Sequence, residues 1–249
     1  MRRLILAVQF LTRLPTPQLR DFREDELSRC AVYFPLVGVI IGALLMLPLL
    51  ALDQQPWLAA LVALLIWVWV TGALHLDGLG DVADAFGAAH RSPERFLEVL
   101  KDPHMGTFGM VTVAVQLIAK LVLLAEVADS AWVLGVLLVP AWARWATTLL
   151  WSRWLPPLHA GMAERFAWHR DEGAIWDIGW GAVLVALSVW LAPALLVCLL
   201  LAPLVALYWK RKLGGISGDC LGASTEVIES LLLLSLALWP AYWTLAALL

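Results

Sequence analysis

Long apolar runs alternate with short polar segments along the chain. Five runs are each close to the ~20 residues that a helix needs to cross ~30 Å of hydrocarbon. They cover residues 35–52, 57–75, 109–128, 131–150 and 230–249. A sixth stretch, 178–209, is too long for one ordinary span and is interrupted at Ala192-Pro193. The pattern predicts an all-α bundle of membrane-spanning helices.

The positions of the basic residues indicate how many times the long stretch 178–209 crosses the membrane. Apart from Lys120 and Arg144, which lie inside spans, every Lys and Arg falls before residue 30 or within 91–101, 153–170 or 210–212. Basic residues near span ends stay on the cytoplasmic side. These segments all share one side only if 178–209 crosses twice. We therefore predict about seven spans, with a cytoplasmic N-terminus and an external C-terminus.

Composition supports an integral membrane protein, because 62% of the 249 residues are hydrophobic and only 15% are charged. No repeat or linker divides the chain, so we predict one membrane domain over 1–249. Apolar positions between residues 4 and 14 share one helical face, which indicates an interfacial segment over 1–30. Polar residues collect in three predicted cytoplasmic active-site loops, 76–108, 151–177 and 210–229. The three cysteines have neither disulfide nor zinc spacing.

Three aspartates stand close together in the sequence HLDGLGDVADAF. Asp77, Asp81 and Asp84 are spaced i, i+4, i+7, so a helix places them within about 60° of arc on one face. Such carboxylates repel one another, and an all-oxygen set suits the hard cation Mg²⁺. We predict a magnesium site here, with the intervening glycines leaving room for a bulky ligand. The alternative is a solvated acidic face at a helix end.

A polar loop precedes the third predicted span. Pro103 disfavours helix at Asp102, and the glycines that follow permit unusual backbone angles, so the backbone N–H groups could face phosphate oxygens. The candidate phosphate ligands are the amides of Gly106 and Gly109 and the side chains of Lys101, Arg91 and Arg95. The alternative is a plain turn where a span begins.

Glycines are also dense before the last predicted span, with four between residues 214 and 222. We interpret this segment as a loop in which Gly218 and Gly222 contact substrate and Asp219 completes the metal site. The basic run at 210–212 is better explained as an anchor of the preceding span.

Lys120 and Arg144 lie inside predicted spans, where a charge costs at least ~2.5–3.5 kcal/mol. We expect both to point toward the acidic site or a bound phosphate; the alternative is snorkelling to the cytoplasmic interface. His75 either contacts substrate or is an ordinary boundary histidine with satisfied hydrogen bonds. The sequence has no Walker loop or Rossmann fingerprint, and we expect no nucleic-acid partner.

Five motifs stand in order along the chain. They are FLTRLP at 10–15, FPLVG at 34–38, HLDGLGD at 75–81 with Asp84, KDP at 101–103 with GTFG at 106–109, and Gly218-Asp219 with Gly222-Ala223. In these motifs the chain resembles the cobalamin synthase (adenosylcobinamide-GDP ribazoletransferase) family over almost its whole length. The resemblance implies a multi-pass enzyme of the cell inner membrane, with Mg²⁺ as cofactor and the active site facing the cytoplasm.

The resemblance also implies a reaction, a late step of cobalamin biosynthesis. It joins the corrinoid adenosylcobinamide-GDP to α-ribazole, or to its 5′-phosphate, and releases GMP. Mg²⁺ held by Asp77, Asp81 and Asp84 would bridge the diphosphate, while Lys101 and an arginine would neutralise the departing GMP. The 5′-hydroxyl of α-ribazole would attack the phosphorus on the cobinamide side, and Asp84 or Asp102 would accept its proton. Whether the protein forms a homo-oligomer is left open.

Two other functions compete with this one. The acidic helix is loosely similar to that of CDP-alcohol phosphotransferases, which act on phospholipid head groups. HLDGLGDVADAF lacks their Ala-Arg pair after Asp-Gly and their longer spacing to two further aspartates. A transporter would account for Lys120 and Arg144. It would also place polar residues at mid-depth and on both sides, whereas here they collect on one side.

Overall fold

A computed structural model describes residues 1–19, 25–88, 93–100, 102, 104–158, 161–168 and 174–239. This part of the chain contains no β-sheet and only one isolated β-bridge, between Pro157 and Ile216. The α-helices are α1 (Arg2–Leu11), α2 (Asp25–Cys30), α3 (Phe34–Ala51), α4 (Pro56–Thr71), α5 (Leu74–Ala88), α6 (Pro93–Val99), α7 (Thr107–Ala128), α8 (Val139–Leu149), α9 (Met162–Ala167), α10 (Ala174–Leu191), α11 (Cys198–Lys212) and α12 (Gly218–Leu238). The all-α prediction is confirmed.

Several of these helices are long and apolar enough to cross a membrane. Within the described ranges there are five such segments: Asp25–Ala51, Thr107–Ala128, Ala174–Leu191, Pro193–Lys212 and Gly218–Leu238. The bent pair of α4 and α5 would add a sixth. The stretch 178–209 divides into two helices beside Ala192, as the charge pattern predicts. A multi-pass helical membrane protein is therefore confirmed; the count of seven and the cytoplasmic N-terminus stay predictions.

The second predicted span, 57–75, is not one straight helix. α4 ends at Thr71 because Gly72 and Ala73 both take left-handed backbone angles, with φ of 61° and 59°. Glycine adopts this conformation at little cost. α5 then leaves at 85° to α4. Because of this bend α5 does not continue the line of α4, and we do not count it as a membrane-spanning segment.

The fourth predicted span, 131–150, also differs from expectation. It consists of a 3₁₀ segment, Val133–Leu137, and the 11-residue α8. Every residue of α8 is buried. α3 packs directly against this region, since a Cβ added to Gly42 would lie 2.7 Å from the carbonyl carbon of Leu137. This part of the chain forms the centre of the bundle.

The last predicted span, 230–249, begins earlier than expected. α12 starts at Gly218 because the Ser217 hydroxyl oxygen accepts a hydrogen bond from the Cys220 backbone N–H at 3.2 Å. The prediction of a loop over 210–229 is therefore wrong for most of its length, and residues 76–88 of the loop 76–108 are likewise helical. Residues 240–249 lie outside the described part.

The N-terminal segment contains a helix with one buried face, as the apolar spacing predicts. The face of α1 that is packed into the core consists of Leu6, Ala7, Val8 and Leu11. α1 contacts both α2 and α3. Its place in the headgroup layer, and a single domain over 1–249, stay predictions.

Candidate active site

α5 and α12 approach each other closely, and this contact builds the site. A Cβ added to Gly78 would lie 2.9 Å from the carbonyl oxygen of Asp219, and one added to Gly222 would lie 3.3 Å from the carbonyl oxygen of His75. The glycines that we expected to make room for a ligand therefore make room for a neighbouring helix. Asp219 is thereby brought beside the acidic face of α5.

The carboxylates of this region influence one another. Partial burial, followed by the negative charges of Asp77, Asp219 and Asp84, raises the pKa of Asp81 to about 6. Such a shift is expected where carboxylates share a site. Among the described residues, no three His, Cys, Asp or Glu side chains converge closely enough to hold a metal ion. The donor chemistry suits a hard divalent cation, but the carboxylates are neighbours and not an assembled ligand set.

A cavity of about 190 Å³ lies beside these carboxylates, and we call it the aromatic cavity. Five residues predicted to bind metal or substrate line it: His75, Asp77, Gly218, Asp219 and Gly222. Thr147 and Thr148 of α8 and Thr225 of α12 add hydroxyl groups to the lining. The cavity therefore brings together residues from the third and the fifth sequence motifs.

Four aromatic side chains from distant parts of the chain also line this cavity: Phe10, Phe34, Trp151 and Phe166. The ring of Phe166 stacks on Trp151 with centroids 5.2 Å apart, and it meets Phe10 and Phe34 edge-on at 5.5 and 5.6 Å. Phe10 and Phe34 open the first two sequence motifs, but no role could be read for any of the four rings, because aromatic side chains near span ends are ordinary interfacial anchors. Their arrangement offers apolar ring faces to a flat ligand.

Asp84 is engaged by the start of α7. Its two carboxylate oxygens accept hydrogen bonds from the backbone N–H groups of Gly106 and Gly109, at 2.7 and 2.8 Å. These amides belong to the first turn of α7, where backbone donors lack helical partners. The prediction that they face a phosphate is corrected, because a carboxylate of the same chain holds them. Asp84 is likewise less suited to be a base, since both its oxygens already accept hydrogen bonds.

We expect Asp84→Asn to destabilise the fold by about 1–3 kcal/mol, because one N–H of α7 would then face an amide donor. The measurement is thermal unfolding in detergent micelles, with the exposed Asp53→Asn as the matched control. If Asp84 were only a metal ligand, the unfolding temperature without Mg²⁺ would equal that of the control.

The remaining loop residues do not gather at the aromatic cavity. Asp102 is exposed, and its carboxylate accepts a hydrogen bond from the His104 backbone N–H at 3.0 Å and lies 2.7 Å from His104 Nδ1. Hydrogen bonds from the His104 side chain and backbone lower the pKa of Asp102. Arg95 forms an exposed ion pair with Glu98 on α6. Lys101 and Arg91 lie outside the described residues.

The two cations inside predicted spans pair with glutamates of α12. Lys120 Nζ lies 2.7 Å from Glu226 and 2.6 Å from Glu229, and Arg144 lies 2.8 Å from Glu229. Lys120 also stands over the ring of Trp67, 4.1 Å from its centroid. All four charged side chains are buried. The predictions that Lys120 and Arg144 reach the acidic site, a phosphate or the interface are therefore wrong.

Sequence reasoning missed Glu226 and Glu229 because it placed them in a loop. A signal was present, since two cations inside a membrane require nearby anions. These glutamates, spaced i, i+3, stand next to the last apolar run. We call Lys120, Arg144, Glu226 and Glu229 the buried charge network.

Comparison with known proteins places the chain in a family. The family model "Cobalamin-5-phosphate synthase" matches residues 3–237. The chain belongs to the cobalamin-5-phosphate synthase family. Adenosylcobinamide-GDP ribazoletransferases of Laribacter hongkongensis and Thiobacillus denitrificans are 56% and 49% identical to it over 241 and 240 residues. Each alignment covers 94% of this chain, and they cover 96% and 94% of the two relatives. No solved structure matches.

Membership of the cobalamin-5-phosphate synthase family confirms the resemblance read from the five motifs. A third relative, the adenosylcobinamide-GDP ribazoletransferase of Novosphingobium aromaticivorans, is 49% identical over 253 residues, which cover 96% of this chain and 97% of the relative. The family assignment does not support the CDP-alcohol phosphotransferase or the transporter. The buried charge network also accounts for the cations that motivated the transporter.

Proposed function

We propose that the chain joins adenosylcobinamide-GDP to α-ribazole, or to its 5′-phosphate, and releases GMP, as the names of its relatives indicate. The observation that carries the proposal is the aromatic cavity, where Asp77 and Asp219 stand beside a cluster of aromatic rings. Carboxylates serve phosphate chemistry through a bound cation, and ring faces accept a flat heterocycle. The cavity therefore suits the base and the reacting phosphate of this reaction.

The reaction exchanges one phosphorus–oxygen bond for another. A ribose hydroxyl of α-ribazole attacks the phosphorus attached to the cobinamide side, the bond from that phosphorus to the bridging oxygen breaks, and GMP leaves with the electron pair. In the 5′-phosphate substrate the 5′ oxygen is already esterified, and the two products differ only by that phosphate. The attacking group is therefore the same other ribose hydroxyl in both substrates, and not the 5′-hydroxyl expected from the resemblance. Asp77 is exposed and lines the cavity, which suits it to accept the hydroxyl proton better than Asp84 or Asp102.

The acidic residues are the proposed holders of the magnesium ion. Asp81 and Asp219 would hold it together with one carboxylate oxygen of Asp77, whose other oxygen would stay free to accept the hydroxyl proton. Because these carboxylates are neighbours and not an assembled ligand set, phosphate oxygens of the substrate would have to supply further ligands. When bound, Mg²⁺ would neutralise the diphosphate and the charge that develops on GMP. Asp84, which the sequence predicted as a metal ligand, would instead position α7 beside the magnesium site.

The aromatic rings have a positioning role in this proposal. Phe10, Phe34 and Phe166 would hold the flat base of α-ribazole, so that its ribose meets the corrinoid phosphate near Asp77. Holding two reactants in a productive geometry removes much of the entropic cost of a bimolecular reaction.

We also propose that the site faces the cytoplasm of the cell inner membrane, in a chain with seven spans and a cytoplasmic N-terminus. α1 supports this orientation because Phe10 lines the cavity while Arg2 and Arg3 begin the same helix. α11 ends in the basic run at 210–212, a few residues before Asp219. Basic residues beside span ends favour the cytoplasmic side, so both elements support a cytoplasmic position of the cavity.

The decisive experiment incubates the purified full-length protein with adenosylcobinamide-GDP, α-ribazole and Mg²⁺ and follows nucleotides by chromatography. We expect one GMP for each corrinoid product, and no GMP when EDTA is present. Corrinoid uptake into vesicles without GMP would favour a transporter. Release of CMP from a CDP-alcohol, with no GMP from the corrinoid, would favour the phospholipid enzyme.

A further inference from the structure

A second cavity, of about 440 Å³, adjoins the aromatic cavity, and we call it the Arg13 cavity. The two share Phe10, Leu74 and Asp77 as lining residues. Asp77 therefore stands where the cavities meet. The rest of the Arg13 cavity comes from residues 9–13 of the N-terminal segment and from the turn at 71–73 between α4 and α5.

Arg13 is held firmly at this place by its backbone. Its N–H donates to the carbonyl oxygen of Val70 at 2.7 Å, and the neighbouring Thr12 hydroxyl donates to Val8 at 2.7 Å. The side chain crosses the left-handed residue Gly72, where an added Cβ would overlap the guanidinium Nε atom. The turn that starts α5 thus forms a surface on which the Arg13 side chain lies.

The guanidinium of Arg13 remains available for a ligand. Throughout the described part of the chain it forms no ion pair with a carboxylate, although Asp77 lines the same cavity. Arg13 is also exposed. Arginine is always charged, and its planar fork of N–H donors matches the oxygens of a phosphate. The cavity therefore offers a cation at one part of its lining and the proposed reaction centre at another.

The family description "Cobalamin-5-phosphate synthase" points to α-ribazole 5′-phosphate as the acceptor, and we propose that Arg13 is the residue that binds its 5′-phosphate. The proposal rests on the function proposed above. With the base in the aromatic cavity and the phosphate on Arg13, the ribose lies between the two cavities, beside Asp77. The connection of the cavities at Asp77 thus matches the order base, ribose, phosphate in the acceptor.

The test compares two acceptors, α-ribazole and α-ribazole 5′-phosphate, by kcat/KM at saturating adenosylcobinamide-GDP and Mg²⁺. In the wild type we expect the phosphate to be preferred. The ratio that we follow is kcat/KM for α-ribazole 5′-phosphate divided by kcat/KM for α-ribazole. Arg13→Gln should lower this ratio by about 10- to 100-fold, since a charge-assisted hydrogen bond to the phosphate is lost. Arg13→Lys keeps the charge without the fork and should restore part of the ratio.

Arg3→Gln is the matched control, because it removes one exposed positive charge from the same segment outside both cavities. It should leave the ratio unchanged. Gly72→Ala gives an independent variant, since the added Cβ displaces the Arg13 side chain. It should lower the ratio as Arg13→Gln does.

Two results would overturn the proposal. An equal fall with both acceptors, together with a raised KM for adenosylcobinamide-GDP, would place Arg13 on the donor diphosphate. An unchanged ratio in Arg13→Gln would remove the arginine from acceptor recognition. Failure of the proposed function looks different, because the wild-type protein would then release no GMP with either acceptor.

Discussion

Asp77→Asn and Asp81→Asn should each lower the rate of GMP formation by more than about 100-fold at a fixed Mg²⁺ concentration. The two carboxylates lie on one face of α5, and their charges influence each other and that of Asp219. Asparagine keeps the size of the side chain but removes the charge that would attract a divalent cation. The loss should therefore be one of catalysis and not of folding.

The measurement is steady-state GMP release over a range of Mg²⁺ concentrations, with thermal unfolding of each variant in detergent. We expect the variants to unfold at the wild-type temperature and to recover some activity at high Mg²⁺. The exposed Asp129→Asn is the control, as it removes one carboxylate at the far end of α7. Near-wild-type turnover of Asp77→Asn would contradict the metal role and leave the acidic face as a solvated surface.

Local spacing was enough to predict the acidic face of α5. Asp77, Asp81 and Asp84 follow the helical period, and the structure has a helix there. The same period could not reveal that Asp84 turns to the amides of Gly106 and Gly109. That contact depends on how α5 crosses α7, which a local pattern does not contain.

Glycine explains the largest error in the fold prediction. Gly218 and Gly222 were interpreted as loop residues, yet they lie in α12. In membrane proteins, small residues commonly mark close helix contacts, and Gly222 faces the backbone of His75. The pattern of glycines was informative, but its meaning depended on knowing which helix lay opposite.

The aromatic lining shows the limit of reading a chain segment by segment. Phe10, Phe34, Trp151 and Phe166 come from four separate segments. Phe10 and Phe34 open two of the five motifs, but nothing in those motifs shows that their rings meet Trp151 and Phe166 around one cavity. The glycine-rich segment around Asp219 predicts that this residue joins the metal site, and the structure does bring it beside Asp81. Residues that share a chemical type could be grouped from sequence, whereas a cavity wall of mixed origin could not.

Glu229→Gln should destabilise the fold by about 3–5 kcal/mol, because removing one member of a buried ion pair leaves a charge without compensation. Glu229 is fully buried and holds both Lys120 and Arg144. Lys120 would keep Glu226, but Arg144 would keep only the Pro140 carbonyl oxygen. Within the described residues, its Nε and Nη2 atoms already have no hydrogen-bond partner. Most of the lost free energy of unfolding should therefore come from the uncompensated charge of Arg144.

A second variant distinguishes the effect of the uncompensated charge from a general intolerance of α12 to substitution. The double variant Arg144→Met/Glu229→Leu removes both charges and should recover much of the lost stability, since apolar side chains of similar size replace buried ion pairs at little cost. Glu126→Gln, at an exposed position of α7, is the matched control for losing one carboxylate. Thermal unfolding in detergent compares the three proteins. If Glu229→Gln unfolded at the temperature of Glu126→Gln, the network would contribute nothing to stability, and its buried charges would need another reason to be there.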